Sequence, residues 1–574
     1  MEILDNLCNF ATNILQVFKM NKSKLIGIAF AMMSIASPAT AGGLLTNTNQ
    51  NVHFLRNPAR DATIGIDGVY SNPAGVIFLG EGFHFSINLQ NAHQTRTITT
   101  GFPLFVNNAN QPGQSVHQFK GTADAPIIPS LLAAYNLGKW SFQFSFAITG
   151  GGGKCEFDNG LGSFEQVVSA IPYTPVQVGG NTSSAMELMN QLYAGLGQVN
   201  PALASHKMGN KYGYDSFMRG RQYYYGFTFG AAHKLTDNLS VYGGLRMLYG
   251  SANYFGYVKN IQVEHIDGDK SEMVAASQHF NEQAATFNQA AGVMEQKGVD
   301  AEQMAVGAEQ MAVEMEQKGD LDKAADYRNA AAGYRNAAAK CRQAAGQLKQ
   351  GATLSTALAA GTQDIELNCD QTGWGVAPII GIDYKTGKLN LAAKYEFKTR
   401  MRLKNKSANS LSAENIAMLD KFKDGKSVPE DSPALLTVGA QYQLLPALRV
   451  MAGWHHYFDV DTKQYTKDML SDTNEYLFGA EYDINSRLLV SAGAQLTRYG
   501  FKDAGMNDIS FNVNSTSYGF GVGYQVSDKV KVNLAYFQTL YGDYDKKETI
   551  GGMETTNSFT RTNRVIGVGV DFKI

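Results

Sequence analysis

The chain has 574 residues, a formal net charge of −2, 17% charged residues and 11% aromatics. It is too long for one ordinary soluble domain, too short of charge for a disordered chain, and lacks the basic stripe a nucleic-acid partner needs. Glycine (59), tyrosine (28) and phenylalanine (31) are plentiful and proline (14) is sparse, which is the profile of many glycine-spaced aromatic strands.

From Met20 the chain reads MNKSKLIGIAFAMMSIASPATAGG. Lys22 and Lys24 form a positive n-region, Leu25 to Ala36 an apolar stretch, and Ala39-Thr40-Ala41 a cleavage site. These features define a secretory signal peptide within residues 1–41, with the mature chain starting near Gly42. Residues 1–19 read as an upstream start-site extension, or else as a short structured segment. The apolar stretch falls short of the roughly 18–20 residues that span a bilayer, and no later run reaches that length. An exported protein without transmembrane helices is expected. Cleavage leaves Cys155, Cys341 and Cys369, an odd number compatible with one disulfide (Cys341 with Cys369) and a free thiol.

Residues 42–79 precede the first alternating segment and contain GVYSNPAGVIFLG, with Asn72-Pro73-Ala74-Gly75 at its centre. Pro73 fixes φ near −65° and offers no donor, and Asn72 can start a turn through its own side chain. The tetrapeptide reads either as a plain turn into the first strand or as a hinge.

From Phe83 onward the signal has period two. In 389–398, Leu389, Leu391, Ala393, Tyr395 and Phe397 share one face, opposed by Asn390, Ala392, Lys394, Glu396 and Lys398. Leu488 to Leu496 and Ile566 to Ile574 alternate in the same way. The runs are longer than soluble strands and match the about 9–11 residues of a tilted membrane strand. Aromatics such as Trp140, Tyr223 to Tyr225, Trp454, Tyr482 and Tyr499 recur near strand ends, where interfacial girdles sit. Short connections fall at 138–139, 235–238, 385–388, 445–446, 486 and 527–528. They alternate with long polar ones near 91–126, 150–220, 262–372, 403–432, 460–473, 500–511 and 542–560. Six turns and seven loops imply an all-β membrane protein, a barrel of about 14 antiparallel strands over residues 80–574.

Residues 270–360 break the alternation. AEQMAV at 301–306 recurs at 308–313, YRNAA at 327–331 recurs at 334–338, and MEQKG at 294–298 recurs at 315–319. Spacings of seven and its multiples in a helix-forming composition imply two or three helices packed along heptad seams. Gly298 and Gly319, each soon followed by an aspartate, mark expected stops. By strand count this insertion (265–370) is the third external loop, read either as a spacer or lid or as a module for a partner the sequence does not identify.

Enzyme motifs are missing. Gly150 to Gly153 with Lys154 lacks the first glycine and the Ser/Thr of a phosphate loop, because Ile148 and Cys155 stand there. His455 and His456 point to opposite faces of a strand and make no ligand pair. Neither a cofactor nor a metal site is expected.

The segment Gly43 to Leu79 resembles the N-terminal hatch of the FadL-type outer-membrane transporters. Its motif is Asn72-Pro73-Ala74-Gly75-Val76-Ile77, and 374–397, 432–458 and 476–500 look like late hairpins of that family. A second Asn-Pro-Ala at Asn57 to Ala59, the helical insertion and the terminal Ile574 depart from the pattern. The resemblance implies a fourteen-stranded barrel in a Gram-negative outer membrane, facing lipopolysaccharide, acting as a monomer and plugged by residues 42–79. It also implies passive transport of hydrophobic molecules, long-chain fatty acids or aromatic hydrocarbons. Lateral release would occur at a bend in the third strand, here at Gly150, Gly151, Gly152 and Gly153, with gating by Asn72, Pro73, Ala74 and Gly75. The alternatives are a surface interaction or adhesion protein displaying the helical loop, and a general porin.

Overall fold

The computed structural model describes residues 47–178, 181–197, 200–463, 466–509 and 511–574, so the expected signal peptide and Gly42 lie outside the described residues. Fourteen strands close an antiparallel barrel, each paired with its neighbour in chain order. They are β1 (Gly82–Gly101), β2 (Val116–Leu137), β3 (Trp140–Phe157), β4 (His206–Lys234), β5 (Leu239–Asp267), β6 (Ile365–Thr386) and β7 (Leu389–Glu396). The second half comprises β8 (Leu435–Leu445), β9 (Leu448–Tyr457), β10 (Thr473–Asp483), β11 (Leu488–Arg498), β12 (Ser515–Ser527), β13 (Val530–Tyr541) and β14 (Met553–Lys573). β14 returns to β1 in unbroken register from His84↔Lys573 to Gly101↔Thr556. Phe83 and Ile574 complete the seam with two backbone hydrogen bonds of 3.0 and 2.8 Å. The expected strand number holds, and each expected short turn joins a pair of strands.

The alternation is inverted relative to a soluble sheet. Ile380, Ile382 and Tyr384 on β6 and Ile566 and Val568 on β14 face outward, whereas Asn390, Lys394 and Glu396 of β7 are buried inside. An apolar exterior on a closed hydrogen-bond ladder is what a bilayer requires. No described helix is long and apolar enough to cross a membrane.

The strands on one side of the barrel run far past the bilayer. β1, β2, β4 and β5 have 20, 22, 29 and 29 residues. Much of the expected loop 91–126, and parts of 150–220 and 262–372, is therefore strand. Above the lipid both faces meet water or loops, so apolar alternation fades while backbone pairing continues.

The insertion between β5 and β6 forms two helices, α4 (Ala276–Gln317) and α5 (Leu321–Gly361). Two shorter helices precede it, α2 (Gly162–Ser169) and α3 (Ala185–Gly197). Gly319, at φ 79°, ends α4, and the Asp320 side chain caps α5 by accepting from Lys323 N. The expected stop at Gly298 does not occur. That residue lies inside continuous α4, facing Ala338 and Cys341 across the seam, where a small residue lets the helices approach closely. Four ion pairs cross the hairpin at heptad intervals: Lys349–Glu295, Arg342–Glu302, Arg335–Glu309 and Arg328–Glu316, at 2.6, 2.7, 3.3 and 2.7 Å. Being half-exposed, they contribute at most about 1 kcal/mol each and chiefly fix the register. The expected Cys341–Cys369 disulfide is absent, because Cys341 is buried in the helix seam and Cys369 in β6 beside Tyr254 and Phe422.

Candidate functional site

Residues 47–80 thread the barrel interior and are mostly buried. They begin with α1 (Val52–Arg56), capped by Asn51, whose side chain accepts from Phe54 N at 2.9 Å. The inner wall is cut away to receive them. A Cβ at Gly479 would lie 1.8 Å from Asn57 Oδ1, at Gly519 2.0 Å from Leu55 O, and at Gly439 2.6 Å from the Asp61 Cβ. Glycines on β8, β10 and β12 thus form a track along which the segment lies in contact with the strand backbone.

Buried polar groups fix the segment across that track. Arg60 Nε donates to Asp67 at 2.7 Å and its Nη1 to Glu481 of β10 at 2.8 Å, while Arg56 lies 3.0 Å from the same Glu481 oxygen. His455 of β9 bridges Asp61 (2.9 Å) and Glu475 (2.8 Å). Lys394 Nζ donates to Tyr70 O at 2.8 Å and to Glu396 at 2.8 Å, and Glu396 also pairs with Arg246. Breaking one such partner leaves an uncompensated buried charge and costs about 3–5 kcal/mol.

Asn72-Pro73-Ala74-Gly75 is held by three strands. Asn72 Nδ2 donates to Asp383 Oδ2 of β6 at 2.6 Å, Gln143 of β3 donates to Pro73 O at 2.7 Å, and Ser240 of β5 donates to Ala74 O at 2.6 Å. Asn72 Oδ1 accepts from Gly75 N at 3.3 Å, closing the turn. At Gly75 a Cβ would stand 2.3 Å from Asn72 Nδ2 and 2.8 Å from Asp383 Oδ2, so glycine is required by proximity.

Gly150, Gly151, Gly152 and Gly153 lie inside β3. Register shifts on its β4 side fall between Ile148 and Gly150 and between Gly150 and Gly153. Gly151 and Gly153 take φ 99° and 74°. On the other side the β2–β3 ladder is interrupted: after Gly121↔Phe157 and Thr122↔Glu156 it resumes only at Leu131↔Phe146. β2 contributes Pro126 and Pro129 to this stretch, and neither has an N–H to donate. The two prolines were the readable sign of the gap that the glycine run alone did not supply. Asn47 sits at the same place, its N donating to Thr149 O at 2.9 Å and its Nδ2 to Gly151 O at 3.2 Å.

On the long-loop side of the gap, an apolar cluster of Ile98, Phe102, Phe105, Phe157, Phe511 and Phe559 joins the strands to folded-in loops. Two arginines adjoin it. Arg96 of β1 stands directly opposite Arg561 of β14 and, on its other side, opposite Gly121 of β2, which pairs with Phe157 at the rim of the gap. The Arg96 guanidinium lies 5.3 Å from the Phe511 ring and that of Arg561 4.9 Å from the Tyr541 ring. Arg561 Nη1 donates to Asn512 at 2.5 Å, and the Nε of each arginine is buried without a partner.

No protein-family model matches the sequence, and no curated protein does. Solved structures do. A Pseudomonas aeruginosa FadL homologue matches with TM-score 0.54 at 10% identity, covering 93% of this chain and 100% of its own. The P. putida toluene transporter TodX (TM-score 0.46, 15% identity, 89% and 95% covered) is a more distant match. So is the Ralstonia pickettii toluene transporter TbuX (0.44, 15%, 93% and 99%). At 10% identity, what the chain shares with the FadL homologue is the fold. The chain has the FadL-type fold, a closed fourteen-stranded antiparallel β-barrel.

Proposed function

We propose that the protein passively conducts hydrophobic molecules across the outer membrane, and that its preferred solutes carry an acidic head, as long-chain fatty acids do. The observation that carries this reading is the arginine pair. Two guanidiniums stand side by side against aromatic rings, and among the described residues neither forms an ion pair. Isolated cations are costly in such surroundings unless an anion arrives to share them. An alkyl chain would be held by area alone, at about 25 cal/mol per Å².

Release sideways between β2 and β3 is supported by the interrupted ladder and by the opposite end of the lumen. A cavity of about 640 Å³ there is lined by His53, Arg56, Arg60, Asp67, Glu481, Lys531 and Asp571, a charged route unsuited to an apolar solute. Residues 47–80 fill the lumen that a general porin would keep open. We read the Asn-Pro-Ala-Gly turn, anchored to the wall through Asn72 and Asp383, as the hinge of residues 47–80. A surface role for the hairpin stays as a second reading, favoured by Val299, Val306 and Val313, which are exposed at seven-residue spacing on α4.

The test is uptake of labelled oleate and labelled toluene by cells carrying R96Q/R561Q. Oleate entry is expected to fall at least tenfold, with toluene entry retained. Undiminished oleate entry through a correctly inserted variant would refute the head-group reading.

A further inference from the structure

The transport reading leaves unused a titratable cluster at the base of the α4–α5 hairpin. His206 opens β4, His265 lies near the end of β5, and His279 is in the first turn of α4. The His206 and His265 rings are 5.1 Å apart, edge to face, and the His265 and His279 rings 4.9 Å apart. Tyr193 of α3 approaches His206 at 5.7 Å. Together with Glu272, Gln278 and Glu282, these side chains line a cavity of about 470 Å³. His265 Nδ1 and His279 Nε2 are buried there without a hydrogen-bond partner.

The charged groups facing the rings come from each packed element. Asp267 of β5 lies 3.8 Å from His206, Glu272 of the short strand 270–275 pairs across from His265, and Glu282 follows His279 on α4. Asp267 is about half-exposed, so its charge is solvated and compensates weakly. Among the described residues no three His, Cys, Asp or Glu side chains are placed to hold a metal. The proton is therefore the ligand this cluster can take up without rearranging.

We propose that His206, His265 and His279 form an acid-sensitive latch that seats the hairpin on the barrel. With neutral rings, α4 packs against β5 and the short strand 270–275. Protonation places like charges about 5 Å apart in a partly buried site and unseats the first turns of α4 and the last turns of α5. Burial and the neighbouring His265 hold His279 down at about 4 from its ordinary 6.5, and burial and His206 lower His265. A histidine lowered by folding stabilises the fold above its unfolded value. That contribution is lost as pH falls from about 6.5 towards 4.

The test uses the full chain in detergent micelles, with amide hydrogen exchange read at pH 7.5 and pH 5 and corrected for intrinsic rates. Protection in 276–290 and 350–361 should drop at least tenfold at pH 5 while β8 to β13 stay protected, and H265Q/H279Q should abolish the difference. Equal protection at the two pH values in the wild type, which needs no variant, would overturn the latch. So would a pH effect that survives in H265Q/H279Q, or a Zn²⁺-induced protection at pH 7.5 reversed by chelation, which would assign the cluster to a metal.

Discussion

Arg96 and Arg561 are partners in the β1–β14 register that closes the barrel, and the contact joins two like charges. Desolvated charges held together without a counter-ion destabilise the fold they occupy. R96M is therefore expected to raise the stability of the empty barrel, by up to about 1–4 kcal/mol, the range in which buried charged groups give way favourably to apolar ones. The measurement is the midpoint of heat modifiability on gels at neutral pH. A lowered midpoint would mean that Arg96 is satisfied in the empty protein.

The glycine track makes a prediction that runs the other way. G479V would drive a side chain into Asn57, because even a Cβ there stands 1.8 Å from Oδ1. The barrel has no slack on that wall, so residues 52–62 must lift away, at a cost of about 1–3 kcal/mol or more. Limited proteolysis should cut the segment in the variant and spare it in the parent, and conductance to small ions should rise.

Asn72 and Asp383 form a buried pair of amide and carboxylate. N72A removes one of two donors to Asp383 Oδ2, leaving Asn390 at 2.8 Å, and is expected to cost about 1–3 kcal/mol. N72D is expected to be worse, since it sets two carboxylates at hydrogen-bond distance, and N72D/D383N should recover most of the loss. Solute uptake by inserted N72A/P73A tests the hinge. Undiminished uptake would leave the motif a plain turn.

Glu430 lies beyond the strand ends, where it accepts from Tyr224 Oη at 2.7 Å and Gln222 at 3.1 Å. Burial pushes its carboxyl up from 4.5 to about 7, and burial likewise raises Asp459 to about 7. Folding therefore favours the protonated acid. Below about pH 4.5 there is no penalty, between 4.5 and 7 stability falls, and above 7 it falls no further, for a total of up to about 3 kcal/mol from Glu430. E430Q should remove that part of the slope between pH 5 and 7.5 in thermal unfolding. An unchanged slope would show that Glu430 is solvated.

Strand number and short turns were legible because each turn interrupts a period-two run: Gly138-Lys139 and Ser527-Asp528 are visible without any partner strand. The upper halves of β1 and β2 were not, since Thr95 to Thr100 alternate threonine with other residues and carry no apolar face. Gly298 misled for a physical reason: glycine ends helices and also lets two of them touch, and only the partner helix decides between these. At the candidate site, the flexible half of the gap was visible in Gly150 to Gly153, and its other half, Pro126 and Pro129, was there to be read. The arginine pair was out of reach, because barrel closure brings together β1 and β14 from opposite ends of the chain.

Each step of seven along α4, from Glu295 to Glu316, is matched by a step of seven back along α5, from Lys349 to Arg328. Deleting or duplicating one heptad in both helices leaves every remaining rung paired and the barrel untouched, and changes the reach of the loop by about 10 Å. The repeats in the sequence are thus a ruler: the protrusion can be lengthened or shortened in whole rungs, independently of whatever passes through the wall beneath it.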